Sequence, residues 1–247
     1  MTQVILFENE IKYLKNQYFL SISMDKAKYL EYLESYLTPR RKVLFEKIAA
    51  ERTRHFTVVA QDTYQDHNAS ALIRNCDCFG IQELHIIEEF NEYRLAKGMT
   101  QGADKWVDLH FYSEYQDNTQ TCIDTLKATG YAIIATTPHK DDCLMRDFDI
   151  RNKSAFFFGT EKTGLSSQII DQADGFVKIP MHGFSESFNI SVAVALLLQA
   201  VMGRLKESKN IPWQLTKKEI RDLKIEWAIK TIVNGEQIAN KYLRENS

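Results

Sequence analysis

The stretch Ala155-Phe-Phe-Phe158-Gly159-Thr-Glu161-Lys-Thr-Gly164-Leu-Ser166 decides the architecture. Four consecutive apolar residues with no polar alternation read as a short strand buried on both faces, and two glycines turn it into a loop. Working outward, the chain alternates. Strands are predicted at Phe56–Ala60, Leu84–Ile87, Val107–Tyr112, Tyr131–Thr136 and Phe176–Ile179. Helices are predicted at Asn68–Phe79, ended by Gly80, at Tyr115–Thr129, ended by Gly130, and at Ser166–Ala173 and Ser187–Leu205. Such alternation predicts an α/β fold, a mostly parallel sheet with helices on both faces. Ligands of such sheets sit beyond the carboxyl ends of the strands. Attention therefore falls on the loops after Ala60, Thr136, Phe158 and Ile179.

The flanks read differently. Residues 4–54 look helical, with Thr38 as a cap, Pro39 in the first turn, and Val43, Leu44, Ile48 and Ala49 at helical spacing. Beyond Pro212, Thr216-Lys-Lys-Glu219 is a capping box that opens a second helical region. Three parts are thus expected: an N-terminal helical extension over 1–55, a central domain over 56–208 and a C-terminal helical extension over 209–247.

Of 247 residues, 44% are hydrophobic and 26% charged, the balance of a soluble globular chain. No apolar run approaches the roughly 20 residues a membrane helix needs; the longest, Val192–Val201, is interrupted by Gln199. Met1–Glu10 has no basic region of the signal-peptide kind, and the 4 cysteines form neither a disulfide framework nor a metal-ligand spacing. A cytoplasmic protein with reduced thiols, no resident metal and no membrane partner is expected. The net charge of −2 hides a split. Residues 1–55 carry +3, residues 204–247 carry +4, and the middle carries −9. Arg40, Arg41, Arg52 and Arg54 head a basic cluster that suits a polyanion, or else a solvated helix face.

Three constellations carry possible chemistry. In the first, Asn68 opens a helix as a cap and Arg74 follows six residues later. In the second, Glu161 is the one carboxylate of the glycine loop after Phe158. The glycines permit close backbone approach to a ligand or positive φ, although Glu161 could simply bond the loop's own amides. In the third, Ile179-Pro-Met181-His-Gly183-Phe-Ser-Glu-Ser187-Phe-Asn189-Ile-Ser191-Val-Ala193, a strand ends and a polar loop leads into an apolar helix. Ser187 and Asn189 sit where caps belong, but the polar groups are more than one cap requires. No G-x-G-x-x-G, no P-loop and no G-x-S-x-G elbow occurs, which disfavours a dehydrogenase, an NTPase and an α/β-hydrolase.

Together and in this order, the three stretches resemble the three motifs of the SPOUT methyltransferases, closest to the SpoU/TrmH branch that methylates ribose 2′-hydroxyls of tRNA and rRNA. Motif one is matched by Asn68-x5-Arg74 with Cys76-Asp77-x-Phe79-Gly80. Motif two is matched by Phe158-Gly-x-Glu161-x-x-Gly164-Leu165-Ser166. Motif three is matched by Ile179-Pro180-Met181-x-Gly183-x3-Ser187-x-Asn189-x-Ser191-Val-Ala193. The flanks resemble those of tRNA (guanosine-2′-O)-methyltransferases. The resemblance implies a C-terminal trefoil knot and a homodimer with the active site at the subunit interface, the apolar helix Ile190–Val201 contributing. It implies S-adenosylmethionine held by Thr136, Gly159, Ile179, Met181 and Phe188. It casts Arg74 as the activating residue, with Asn68, Glu161, Ser187 and Asn189 around it, and Arg40, Arg41, Arg52 and Arg54 as RNA-binding. A D-loop guanosine of tRNA is the implied target. Ribosomal RNA or another tRNA position is the alternative, and a catalytically inactive RNA-binding protein of the same fold is a further one.

Overall fold

A computed structural model describes residues 25–63, 66–90, 100–138, 143–160 and 162–246. The first part of the expected N-terminal extension and Glu161 lie outside the described residues. The chain forms two compact units. One runs from Glu51 to Leu215; the other joins the segments up to Ala50 and from Thr216 onward. This corrects the expected division: the two flanking extensions belong to one unit, and the central domain is wider than 56–208.

In the smaller unit, α1 (Lys26–Glu34) and α2 (Pro39–Ala49) pack with α7 (Lys217–Thr231) and α8 (Gly235–Glu245). The break between α1 and α2 falls where Thr38 caps α2, its hydroxyl accepting from the Arg41 amide. The Thr216–Glu219 capping box is present as read. Helical spacing misjudged the inner face of α2: Phe45 and Ala49 are buried, whereas Val43 is 70% exposed and Leu44 and Ile48 are also exposed. Phe45 meets the buried Trp227 edge-on, which fixes that face inward. Lys224 bridges Glu34 and Glu46 at 3.0 and 2.5 Å and ties α7 to α1 and α2.

The larger unit carries a seven-stranded sheet, every pairing parallel, in the order β3-β2-β1-β6-β4-β7-β5. Its strands are β1 (Phe56–Gln61), β2 (Glu83–Ile87), β3 (Asp108–Tyr112), β4 (Ala132–Thr136), β5 (Cys143–Leu144), β6 (Ser154–Phe158) and β7 (Gly175–Lys178). The two-residue β5 carries no periodicity and escapes sequence reading. β6 lies between β1 and β4, so all of its residues are buried, as the Ala-Phe-Phe-Phe run predicts. Phe156 and Phe158 face one core with α3 (Asp66–Phe79) and α6 (Ile190–Glu207). Ala155 and Phe157 face the other, with α4 (Asn118–Ala128) and α5 (Ser167–Gln172). Because β1, β6, β4 and β7 are neighbours, the loops after Gln61, Phe158, Thr136 and Lys178 open side by side at one edge. Among the described residues no helix is long and apolar enough to cross a membrane.

Two arginines of the expected basic patch belong to this unit and do other work. Arg52 is 1% exposed; its guanidinium pairs with Asp77 and donates to the Ile81 carbonyl oxygen at 3.3 Å. Arg54 is clasped by Glu83 at 2.7 Å and Asp108 at 2.8 Å. A buried guanidinium needs such partners to offset desolvation, and so clamped it offers little to a phosphate. Arg52 is thereby removed from the RNA-binding set, and Arg54 is committed to tying the amino ends of β2 and β3.

Gly80 ends α3 at φ 79°, and a Cβ there would stand 2.5 Å from the Glu51 carbonyl oxygen. Gly130, at φ 83°, faces open space. Gly80→Ala is therefore expected to destabilise the fold by about 3 kcal/mol, and Gly130→Ala by only about 1 kcal/mol. Urea unfolding of the two variants side by side checks this; equal losses would contradict it.

Candidate active site

Motifs one and three meet at a polar seam between α3 and the start of α6. Asn189 caps α6, its Oδ1 accepting from the Ser191 amide at 3.0 Å and from the Ser191 hydroxyl at 2.6 Å. Its Nδ2 donates to Asn68 Oδ1 at 2.9 Å. Two helical turns further along α3, Asn75 Nδ2 donates to the Ser191 carbonyl oxygen at 2.7 Å. Asn68 and Asn75, seven residues apart, share one helix face, which spacing alone makes possible. The redundancy of polar groups in motif three thus has a physical reason: one asparagine both caps its helix and grips the neighbouring one. Asn68 itself is not a cap. It lies inside the first turn of α3 and is 4% exposed.

Arg74 precedes Asn75 and points outward. It is exposed, and no described residue makes an ion pair or hydrogen bond with it. Cys76, the residue after Asn75, is fully buried in apolar packing, which pushes its thiol up to about 12 and leaves it a hydrophobe. Cys78 is exposed on another face, as the spacing predicts.

A cavity of about 410 Å³ opens at the carboxyl ends of β4, β6 and β7. Its wall includes Thr136, Gly159, Ile179, Met181 and Phe188, the five residues singled out for a cofactor, together with Ser187. The size lies in the range of small-molecule sites, and the wall mixes apolar side chains with loop backbone. The Thr136 hydroxyl donates to the Phe157 carbonyl oxygen at 2.5 Å, which locks the mouth of β4 to β6.

The glycine loop is shaped by its own return. Thr160 and Gly164 exchange backbone hydrogen bonds at 3.2 and 3.0 Å, and Gly164 takes φ 71°. A Cβ on Gly159 would fall inside van der Waals contact with the Gly164 carbonyl. The glycine requirement at 159 therefore comes from the loop's own backbone, and that at 164 from its positive φ.

A second cavity, about 860 Å³, shares Gly159, Thr160, Gly164 and Ile190 with the first. Asp62, Glu89 and Asp117 line it against Lys162, so it carries an acidic rim. The wall of this second cavity holds a clamp that sequence reading missed. Gln61, 4% exposed, accepts from the Ser166 amide at 3.0 Å and donates to the Ser166 hydroxyl at 3.0 Å and to Thr119 Oγ1 at 3.2 Å. Thr119 in turn donates to Glu89 at 2.8 Å. The available signal was a polar amide closing the strand directly after the apolar run Val58–Ala60.

Comparison with known proteins agrees with this geometry. Residues 55–199 match the SpoU rRNA Methylase family. The chain belongs to the SpoU methylase family. A Borreliella burgdorferi relative named tRNA (guanosine(18)-2′-O)-methyltransferase is 37% identical over 216 residues, 87% of this chain and 97% of the relative. The Aquifex aeolicus TrmH/SpoU tRNA-modifying enzyme superposes with a TM-score of 0.69 at 27% identity, covering 78% of this chain and 98% of that one. The SpoU methyltransferase AviRb of Streptomyces viridochromogenes, solved with AdoMet, has the same fold at a TM-score of 0.56 and 20% identity. The SpoU match takes in all three motifs and both cavities, but not α7 and α8.

If Gln61 holds the far end of the glycine loop, Gln61→Leu should leave the fold in place and weaken S-adenosylmethionine about 10-fold, the worth of one or two lost buried hydrogen bonds. Calorimetric titration reads this directly. An unchanged dissociation constant would show that the loop needs no clamp.

Proposed function

We propose that this chain transfers a methyl group from S-adenosylmethionine to a guanosine ribose 2′-hydroxyl in the D-loop of tRNA. The observation that carries the reading is the 410 Å³ cavity, whose wall brings motif two and motif three together. Full-length relatives named for that reaction support the tRNA target, and AviRb, solved with AdoMet, supports the cofactor. Thr136, Gly159, Ile179, Met181 and Phe188 would hold the cofactor, loop backbone meeting its polar groups and the apolar side chains its adenine. When bound, it supplies an electrophilic methyl on a sulfonium.

The chain's own part is to place and activate the oxygen. A ribose hydroxyl must lose its proton as it attacks, and arginine stays protonated at any working pH. Arg74 therefore acts as a fixed cation that stabilises the developing alkoxide and grips a neighbouring phosphate; that phosphate or a water would take the proton, and S-adenosylhomocysteine would be the leaving product. With no ion pair to a described residue, its fork of donors is open to RNA. Asn68 and Asn189 hold α3 against α6 and so set where Arg74 stands. Ser187 and Glu161 complete the positioning of arginine and phosphate.

Further parts of the reading concern topology and assembly. A trefoil knot is consistent with β7 sitting between β4 and β5. A homodimer with the site at its interface would cover Phe184, Phe188 and Val192, all exposed in the single chain. The wider helix Ile190–Val201 cannot serve as a whole, because Ile190, Val194, Leu197, Leu198 and Val201 are spent in the chain's own core. RNA grip falls to the smaller unit, where Arg40 is exposed and Arg41 lies over the Phe45 ring at 5.9 Å.

Arg74→Ala is expected to keep cofactor affinity and thermal stability while turnover on tRNA falls about 10²-fold or more, the usual cost of one charge-stabilising group. Near-normal turnover would remove Arg74 from the chemistry. Replacing Arg40, Arg41, Lys42 and Lys47 by Ala should raise the KM for tRNA and flatten its salt dependence, each lost phosphate contact removing a slope of about 0.7 to 0.9. Filter binding at several salt concentrations measures it. Superimposable curves would make α2 a merely solvated face.

A further inference from the structure

Away from the cavities, three metal-ligating side chains converge on the sheet face that carries α4. Glu83 and His85 alternate along β2, and His110 is the register partner of His85 on β3. One ligand atom from each lies within 4.8 Å of the other two. His85 is 4% exposed, and its Nδ1 lies 3.0 Å from the Tyr112 hydroxyl. Its other nitrogen, Nε2, is buried without a hydrogen-bond partner and stands 4.0 Å from Glu83 Oε2. A buried ring nitrogen left without a partner costs free energy unless something binds it.

From this cluster we propose that Glu83, His85 and His110 form a binding site for a divalent transition metal, with Zn2+ the best match. Two imidazoles and one carboxylate are the protein ligand set of tetrahedral zinc sites whose fourth position is taken by water. Tetrahedral zinc separates its nitrogen and oxygen ligands by about 3.3 Å, so closure by at most about 1.5 Å suffices. The His110 ring, stacked on His85 at 4.5 Å, is exposed and free to turn out of the stack toward the ion.

The surroundings suit the ion. Arg54 holds Glu83 Oε1 at 2.7 Å, which aims Oε2 at His85. The Tyr131 hydroxyl has one proton, and it lies closer to the Arg54 carbonyl oxygen, 2.8 Å, than to Oε2, 3.2 Å. Oε2 therefore keeps a lone pair for the ion. Arg54 does not repel the metal on balance, because Glu83 and Asp108 together outweigh its charge. Such outer partners, which orient ligand groups, are a regular part of metal sites, and the Tyr112 hydroxyl plays the same part for His85. Spacing along the chain gives no hint of this, since the two histidines meet only through strand register.

The test is calorimetric titration of the chelator-stripped, reduced full chain with ZnCl2, beside His110→Ala, which changes only an exposed ring, and His67→Ala, an exposed histidine outside the cluster. Wild type and His67→Ala should each take up one Zn2+ per chain and unfold at a higher temperature with zinc. Loss of an outer partner alone costs about 10- to 100-fold in metal affinity, so His110→Ala should lose at least that much. Absence of stoichiometric binding by wild type would overturn the proposal. So would His110→Ala binding as tightly as wild type, or His67→Ala losing the site.

Discussion

The larger unit depends on one constraint: β6 has no free edge and no solvent face. Held between β1 and β4, it must be apolar on both sides, and it is the strand from which the glycine loop departs. That loop can only turn back on itself because Gly159 lets its backbone lie against Gly164. Everything at the site is then referred to β6. Thr136 is tied to its Phe157 carbonyl, Gln61 on the neighbouring strand grips Ser166 at the loop's end, and motif three closes the cavity from the far side. The rigid sheet supplies the precision and the loops supply the chemistry.

The strands and helices of the larger unit were legible because each obeys a short-range rule. The β6 run is uniformly apolar, Gly80 and Gly130 stop helices at positive φ, and Thr216–Glu219 caps α7. The five cavity residues were legible through motif resemblance, since their type alone would not single out Thr136 or Met181. What escaped depends on partners distant in the chain. Arg52 looks like a surface cation until Asp77 and the Ile81 carbonyl oxygen are brought to it. Asn68 looks like a cap until Asn189 claims its oxygen. Val43, Leu44 and Ile48 look inward-facing until Trp227 takes Phe45 instead.

Losing Arg52 and Arg54 from the RNA-facing set changes the electrostatic picture more than the chemistry. The segment 51–215 holds the acidic middle, and the second cavity has an acidic rim. On the proposed function, a polyanion would draw its affinity from the basic residues of α2, and the acidic segment would add no general attraction. If binding and catalysis are divided in this way, their substitutions should separate in affinity and turnover.

The central claim is the identity of the acceptor atom. The most direct measurement is incubation of the purified chain with S-adenosylmethionine and an unmodified tRNA transcript, followed by nuclease digestion and mass spectrometry of the fragments. The expected product is a single 2′-O-methylguanosine in the D-loop, resistant to alkaline cleavage at its 3′ phosphate. A methyl on a base, or methylation of ribosomal RNA fragments with none on tRNA, would contradict it.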